Sequence, residues 1–173
     1  ESECDCFNTG HSSTSISAGL GFAEAREVRG EDYKVISVIG DGAFTGGMAF
    51  EGLNNASRMK TNFMIVLNDN KMSISENVGG FSTHLAALRT AEAYQDLKSG
   101  VHTSLSKLPY GERVIRRIQR TKSSLKQLFI PGMIFENMGV TYLGPVDGHN
   151  IEDMLRIFKE AAKVNGAVVV HVL

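Results

Sequence analysis

Four short runs of apolar residues divide the chain, and each is bounded by polar or glycine-containing turns. Runs of this length and composition are typical of strands in a parallel sheet. The predicted strands are Lys34–Ile39, Phe63–Leu67, Val140–Gly144 and Ala167–Leu173. We expect the first two to be buried on both faces, because they are short and mostly apolar, and show little alternation with polar residues.

Helical patterns occupy much of the sequence between these runs. They predict helices at Ser12–Val28, Thr45–Met59, His84–Leu97, Gly111–Leu128, Phe135–Met138 and Ile151–Lys163. Thr45 and Asn150 are suited to be N-caps, whereas residues 71–80 and 99–109 are predicted loops. Because strands alternate with helices, the sequence predicts an α/β fold in which helices flank a parallel sheet.

Polar clusters directly follow three of the predicted strands. They are Gly40–Ala43, Asn68–Asn70 and Asp147–His149. The carboxyl ends of parallel strands lie at one edge of the sheet, where α/β proteins bind their ligands. We therefore expect the three clusters to gather at that edge.

The composition narrows the class of protein without identifying it. Of the 173 residues 42% are apolar and 21% are charged, and the net charge is −1, which fits one soluble domain with a substantial core. The apolar runs are too short to span a bilayer, and the charge gives no bulk attraction to nucleic acid or to an anionic membrane. Cys4 and Cys6 are too close in sequence for an ordinary disulfide or metal site, which favours reduced thiols and a cytoplasmic protein.

The two ends of the sequence suggest a longer protein. The chain starts at Glu1 without an initiator methionine and stops at Leu173 within a predicted strand. Domain termini normally lie in exposed polar segments. We therefore expect the 173 residues to be a fragment whose function depends on further chain.

Asp41 and Asn70 are the strongest pair of candidate metal ligands. They follow the first and second predicted strands, so we expect their side chains at the same sheet edge. Carboxylate and amide oxygens suit Mg²⁺, which commonly shares its ligand shell with phosphates. Gly42 and Ala43 precede the helix predicted from Thr45, and N–H groups at a helix start favour phosphate. Gly-Asp-Gly alone is also a common tight turn, so the pairing with Asn70 carries this prediction.

Several segments together resemble a known enzyme family. Gly40-Asp41-Gly42 followed by Asp69-Asn70 is similar to the motif with which thiamine-diphosphate enzymes hold their cofactor and Mg²⁺. The longer segments resemble 1-deoxy-D-xylulose-5-phosphate synthases and separate the chain from transketolases, which are structurally related to them. These segments are Thr9–Ser17, Val38–Asn54, Leu67–Gly80 and Tyr142–Asn150.

The resemblance implies roles for individual residues. Asp41, Asn70 and the backbone carbonyl of Met72 would be the Mg²⁺ ligands. The residues that would contact thiamine diphosphate are Gly10, His11, Ser12, Gly42, Ala43 and Asn70. His11 is the one candidate for a catalytic residue, and Asp69 is interpreted as a turn residue.

The resemblance also implies a reaction and its setting. Family members, which are transferases, condense pyruvate with D-glyceraldehyde 3-phosphate and release CO₂. Their product, 1-deoxy-D-xylulose 5-phosphate, leads to isoprenoids (the non-mevalonate route), thiamine and pyridoxal. The chain would be most of the N-terminal diphosphate-binding domain, without the upstream segment, the pyrimidine-binding domain and the C-terminal domain, and would be inactive alone. The intact enzyme would be a cytoplasmic bacterial or a plastid homodimer, with no nucleic-acid or membrane partner.

Other functions are compatible with parts of the sequence. Another thiamine-diphosphate enzyme related to transketolase would share the same short motif. A nicotinamide dinucleotide site would need glycine in place of Thr45. Basic residues between Gly111 and Lys126 recur at helical spacing, which favours a solvated face over a surface that binds RNA or an acidic partner.

The other histidines stand apart from these motifs. His149 lies in a turn before the Asn150 cap, so a turn role is favoured over a catalytic one. His84, His102 and His171 have no neighbouring chemistry in the sequence. We interpret them as solvated side chains or as buried side chains with satisfied hydrogen bonds.

Overall fold

A parallel sheet of four strands lies at the centre of the residues that the structure describes. In a computed structural model, which describes residues 2–72, 79–87 and 133–173, the strand order is β1-β2-β4-β3. The strands are β1 Ile36–Gly40, β2 Phe63–Asn68, β3 Thr141–Val146 and β4 Ala167–Val172. The helices are α1 Ser15–Arg29, α2 Asp41–Phe44, α3 Gly47–Ala56, α4 Met133–Asn137 and α5 Ile151–Ala161, and residues 80–87 are also helical. The predicted α/β fold is confirmed.

Alternation along the strands divides the core between the two faces of the sheet. Phe63, Ile65 and Leu67 of β2 belong to the core that also includes side chains of α1 and α3. Met64 and Val66 point to the opposite face, into a second core that is shared with α5. β2 is therefore buried on both faces, as its uninterrupted apolar sequence predicts.

The expectation that β1 is buried on both faces is wrong. Ile36 is 53% exposed and Val38 is 63% exposed, whereas Ser37 and Ile39 between them are buried. β1 lies at one edge of the sheet, whereas α5 packs mainly on β3 and β4, near the opposite edge. Among the described elements α5 covers this face, so β1 keeps two apolar side chains at the surface.

The prediction of a single helix that begins at Thr45 is also wrong at its start. The structure has two helices here: Thr45 is the C-cap of α2, and Gly46 is the N-cap of α3. The Thr45 hydroxyl donates to the carbonyl of Gly42 at 2.7 Å rather than capping a following helix. A Cβ on Gly46 would lie 2.4 Å from the Ser13 hydroxyl, so glycine permits the first loop to approach this junction.

The other predicted elements agree in kind and differ in their ends. α1 begins at Ser15 rather than Ser12, and the Thr14 hydroxyl donates to the carbonyl of His11 instead of capping the helix. Asn150 is confirmed as the N-cap of α5, because its Oδ1 accepts the N–H of Asp153 at 3.2 Å. The predictions for 73–78 within the loop 71–80, and for 88–97, 99–109 and 111–128, lie outside the described residues. No described helix is long and apolar enough to cross a membrane.

Two polar side chains join the elements at the amino end of the sheet. The buried Arg26 guanidinium donates to the carbonyls of Tyr33 and Asn62 at 2.8 and 2.7 Å. The Asn62 amide donates in turn to the carbonyls of Ala161 and Val164 at 2.8 and 2.9 Å. These bonds tie α1 to the end of α5, at the opposite end of the sheet from the predicted site.

Candidate functional site at the carboxyl end of the sheet

Asp41 and Asn70 lie at the ends of two adjacent strands. The last residue of β1, Gly40, is the Cα partner of Asn68 in β2. Asp41 follows Gly40 directly, and Asn70 lies two residues after Asn68. The parallel register therefore brings the two strand ends, and with them Asp41 and the turn that contains Asn70, to one edge of the sheet, as the sequence pattern predicts.

Burial sets the properties of Asp41. Its side chain is in the first turn of α2 and only 2% of the residue is exposed. A carboxylate in this position is stabilised by the partial positive charge of a helix N-terminus. Burying a carboxylate is unfavourable without compensating contacts, and a divalent cation is one partner that offers such compensation.

The turn after β2 is held by its own side chains. The Asn70 Oδ1 accepts the N–H of Met72 at 3.0 Å, and the Asp69 Oδ1 accepts the N–H of Lys71 at 3.3 Å. Lys71 has a φ of +66°, in the left-handed region that non-glycine residues seldom adopt. Asn70 and Met72 are exposed, and an amide oxygen has a second lone pair with which it can bind a cation.

The first loop contributes an exposed surface close to α2. Gly10, His11 and Ser12 are exposed, and the His11 N–H donates to the Thr9 hydroxyl at 3.2 Å. Ser13, with a φ of +68°, packs against the α2–α3 junction as described above. The loop therefore reaches the α2–α3 junction that follows Gly42 and Ala43.

The donor set at these strand ends suits a hard cation. The residues predicted as ligands offer one carboxylate, from Asp41, and neutral oxygens from Asn70 and the Met72 carbonyl. Among residues 2–72, 79–87 and 133–173, no group of three or more His, Cys, Asp or Glu side chains could hold a metal ion. A site with few protein ligands matches Mg²⁺, which completes its octahedral shell with phosphate oxygens or water.

The Asp147–His149 cluster lies at the carboxyl end of the sheet as well, but at the opposite edge from Asp41. It follows β3, and β2 and β4 separate it from β1. The Asp147 Oδ1 accepts the N–H of His149 at 2.9 Å, and the His149 side chain is 96% exposed. These contacts describe a turn before the Asn150 cap, which is the role that the sequence favoured.

A buried polar network was missed by the sequence analysis. The His171 Nε2 lies 2.9 Å from the Asp69 Oδ2, and its Nδ1 lies 2.7 Å from the Tyr142 hydroxyl. His171 is a satisfied buried histidine, as expected, but it has a specific partner beside Asn70. The alternation of side chains along the strands could have suggested this contact. Asp69 lies on the same face of the sheet as Leu67, and His171 lies on the same face as Val169. The register between the two strands was not available from the sequence.

His84 lies next to this network, in an aromatic environment. Its ring centroid is 6.3 Å from that of Phe81 and 6.4 Å from that of Phe135. Burial lowers the pKa of His84 below its ordinary value, and the nearby His171 lowers it further. The neutral form of His84 is therefore favoured in the folded protein. The predictions for His102 and for the basic residues 111–126 lie outside the described residues.

Comparison with known proteins identifies the family. The sequence model described as 1-deoxy-D-xylulose-5-phosphate synthase matches residues 1–173. The chain belongs to this family. A 1-deoxy-D-xylulose-5-phosphate synthase from Lachnoclostridium phytofermentans is 58% identical over 172 residues, and one from Desulforudis audaxviator is 55% identical over 174 residues. These alignments cover 99% and 100% of the chain but only 28% and 27% of the two synthases. The chain thus spans about 28% of the length of such relatives.

A solved structure from Mycobacterium smegmatis, described as a thiamin diphosphate-dependent enzyme, has a similar fold. It matches with a TM-score of 0.50 and 17% identity, over 95% of this chain and 22% of its own chain. At this level of identity the likeness concerns the fold. It agrees with the parallel sheet and flanking helices of the synthase family member described here.

Proposed function

We propose that this chain is part of the site that holds thiamine diphosphate and Mg²⁺ in a 1-deoxy-D-xylulose-5-phosphate synthase. The intact enzyme would condense pyruvate with D-glyceraldehyde 3-phosphate and release CO₂. Family membership over residues 1–173 supports the reaction. The observation that carries the metal site is the register of Gly40 with Asn68, because it sets Asp41 beside the turn that contains Asn70.

The metal would be held by three oxygens of this chain. Asp41 and Asn70 would bind Mg²⁺ through their side chains, and Met72 through its backbone carbonyl. Asp41 is the single formal negative charge of the three, so the cation would keep net positive charge for the diphosphate. The N–H groups of Gly42 and Ala43, in the first turn of α2, have no acceptor within that helix and could donate to diphosphate oxygens.

The protein's contribution would be to anchor and orient the cofactor. Bound thiamine diphosphate would supply the electron sink for the decarboxylation of pyruvate. Gly10, His11 and Ser12 would contact the cofactor from the first loop, whose position is fixed by the packing of Ser13 on Gly46. Holding a reactant in one orientation removes much of the entropic barrier to its reaction.

We further infer that the intact enzyme is a homodimer without nucleic-acid or membrane partners. Its bacterial relatives support a cytoplasmic location, and a plastid location would follow if a transit peptide precedes this segment. The net charge of −1 supports the lack of a nucleic-acid partner, because such binding depends on clustered positive charge.

The substitution Asp41→Asn in the complete enzyme tests the metal site. The amide keeps the size of the side chain but removes its charge, so Mg²⁺ should bind much more weakly. We expect the affinity for thiamine diphosphate in the presence of Mg²⁺ to fall by at least about 100-fold, since changes outside the ligand shell alone cost about 10- to 100-fold. Isothermal titration calorimetry measures this affinity.

Asp147→Asn is the matched control, because Asp147 also follows a strand but lies across the sheet. It should bind the cofactor as the parent does. Unchanged cofactor affinity in a folded Asp41→Asn enzyme would show that Asp41 is not a ligand and would contradict the proposal.

A further inference from the structure

A fully buried histidine lies next to the turn that contains the proposed ligands Asn70 and Met72. His171 is 0% exposed and Asp69 is 2% exposed. The His171 Nε2 faces the Asp69 Oδ2 at 2.9 Å, and its Nδ1 faces the Tyr142 hydroxyl at 2.7 Å. No substrate could reach such a side chain, so its role must act through its neighbours.

The sheet itself brings these three residues together. His171 in β4 is the Cα partner of Leu67 in β2, and Asp69 lies two residues after Leu67 on the same face. Tyr142 in β3 is paired with Val169 of β4, two residues before His171. The network therefore links three neighbouring strands beneath the turn.

Hydrogen-bond partners on both sides hold the His171 ring. An ionised carboxylate only accepts, so Nε2 carries the proton that is donated to Asp69. Nδ1 lies within hydrogen-bond distance of the Tyr142 hydroxyl, so the ring has a polar partner on each side. Each ring nitrogen has one partner, so the ring is fixed in a single orientation.

Asp69 transmits this constraint to the turn. Its N–H donates to the Val172 carbonyl at 2.8 Å, and its Oδ1 accepts the N–H of Lys71 at 3.3 Å. Its Oδ2 is the oxygen that receives the His171 proton. The carboxylate is thus held on one side by the sheet and on the other by the left-handed Lys71, which lies between Asn70 and Met72.

We propose that His171 is a positioning residue, which orients Asn70 and the Met72 carbonyl towards Mg²⁺ by fixing Asp69. This inference rests on the proposed function, because it assigns His171 a role for the metal site proposed there. Partners that orient metal ligands commonly alter metal affinity by about 10- to 100-fold when they are removed.

The test measures how much Mg²⁺ the complete enzyme needs to bind thiamine diphosphate. Calorimetric titrations of the cofactor at a series of Mg²⁺ concentrations give the half-maximal concentration for each variant. His171→Leu keeps a buried side chain but removes the donor, and should raise that concentration about 10- to 100-fold. His171→Gln retains an N–H donor that can reach Asp69, and should restore most of the parent's behaviour.

Asn62→Ala controls for a general loss of stability. It removes two buried hydrogen bonds at the amino end of the sheet, to Ala161 and Val164. It should lower the melting temperature without changing the Mg²⁺ requirement. If His171→Leu raises the requirement no more than Asn62→Ala does, His171 is only structural and the proposal is overturned.

Tyr142→Phe decides the question if His171→Leu does not fold. It removes only the hydroxyl that fixes Nδ1, and its ring can keep stacking on Phe135. The loss of one hydrogen bond predicts a rise of about two- to tenfold in the Mg²⁺ requirement. An unchanged requirement would then overturn the proposal.

The same titrations distinguish a failure of the role of His171 from a failure of the proposed metal site. A parent enzyme that binds the cofactor independently of Mg²⁺ would overturn both. An enzyme in which Asp41→Asn abolishes binding, while His171→Leu matches the parent, would overturn only the role of His171.

Discussion

Gly144 shows how a single residue determines the position of the buried histidine. Its φ is +126°, and a Cβ at this position would lie 2.6 Å from the carbonyl oxygen of His171. Any other residue would be strained there and would push β3 away from β4. The distance between Tyr142 and His171 therefore depends on a glycine that has no functional group.

At the residue scale, we predict that His84 makes stability depend on pH. Its pKa is lowered in the folded protein, so below its ordinary value of 6.5 the unfolded chain binds the proton more readily than the folded one. Stability should therefore fall as the pH decreases through 6.5, until the folded pKa is reached. The variant His84→Gln should show a smaller decrease when urea unfolding is measured at pH 7.5 and about pH 5.5.

His149→Gln is the control for this measurement, because the His149 side chain is almost fully exposed. It should keep the pH dependence of the parent. An identical decrease in the parent and in His84→Gln would contradict a destabilising burial of His84.

At the scale of elements, α5 shows local and tertiary effects acting together. Its N-terminus has the Asn150 cap and two acidic residues, Glu152 and Asp153, in the first turn. Its apolar side, including Ile157 and Phe158, packs on the second core of the sheet. Capping and dipole interactions fix where the helix starts, whereas the apolar stripe fixes which face meets the sheet.

We predict that Asn150→Ala lowers the free energy of unfolding by about 1 kcal/mol, because the N–H of Asp153 loses its acceptor. Asn150→Ser retains a capping oxygen and should lose clearly less. Urea unfolding of both variants at one pH measures the difference. Equal losses for the two would mean that Asn150 acts through contacts other than the cap.

At the scale of the whole molecule, the edge strand β1 leaves apolar side chains exposed. Ile36 and Val38 on the edge strand are more than half exposed. Edge strands with exposed apolar residues tend to associate with further chain. The relatives are far longer, since this chain corresponds to about 28% of their length.

We predict that the 173-residue chain alone does not form product from pyruvate and glyceraldehyde 3-phosphate. The proposed residues would anchor a metal and a diphosphate, with His11 as the candidate for a catalytic role, and the chain spans only about 28% of the length of its relatives. A product assay with thiamine diphosphate and Mg²⁺ should give no turnover, whereas the complete enzyme assayed in parallel should be active. Turnover by the isolated chain would show that this segment holds the whole catalytic machinery.

The sequence by itself determined the type and the approximate position of most elements among the described residues. Apolar runs and turn residues are local signals, so they located all four strands and the cap at Asn150. The pairing of Asp41 with Asn70 was also accessible, because consecutive parallel strands end at the same edge of a sheet. The break between α2 and α3 was not, because it depends on the close approach of Ser13 to Gly46.

Only the tertiary structure decided which distant residues meet. Asp69 and His171 are 102 residues apart in sequence, and Tyr142 and His171 are 29 apart. Their contacts follow from the strand order and from the register of β2, β3 and β4. The exposure of β1 likewise follows from its place at the edge of the sheet. Strand order and register result from the packing of side chains over the whole sheet, so no local pattern specifies them.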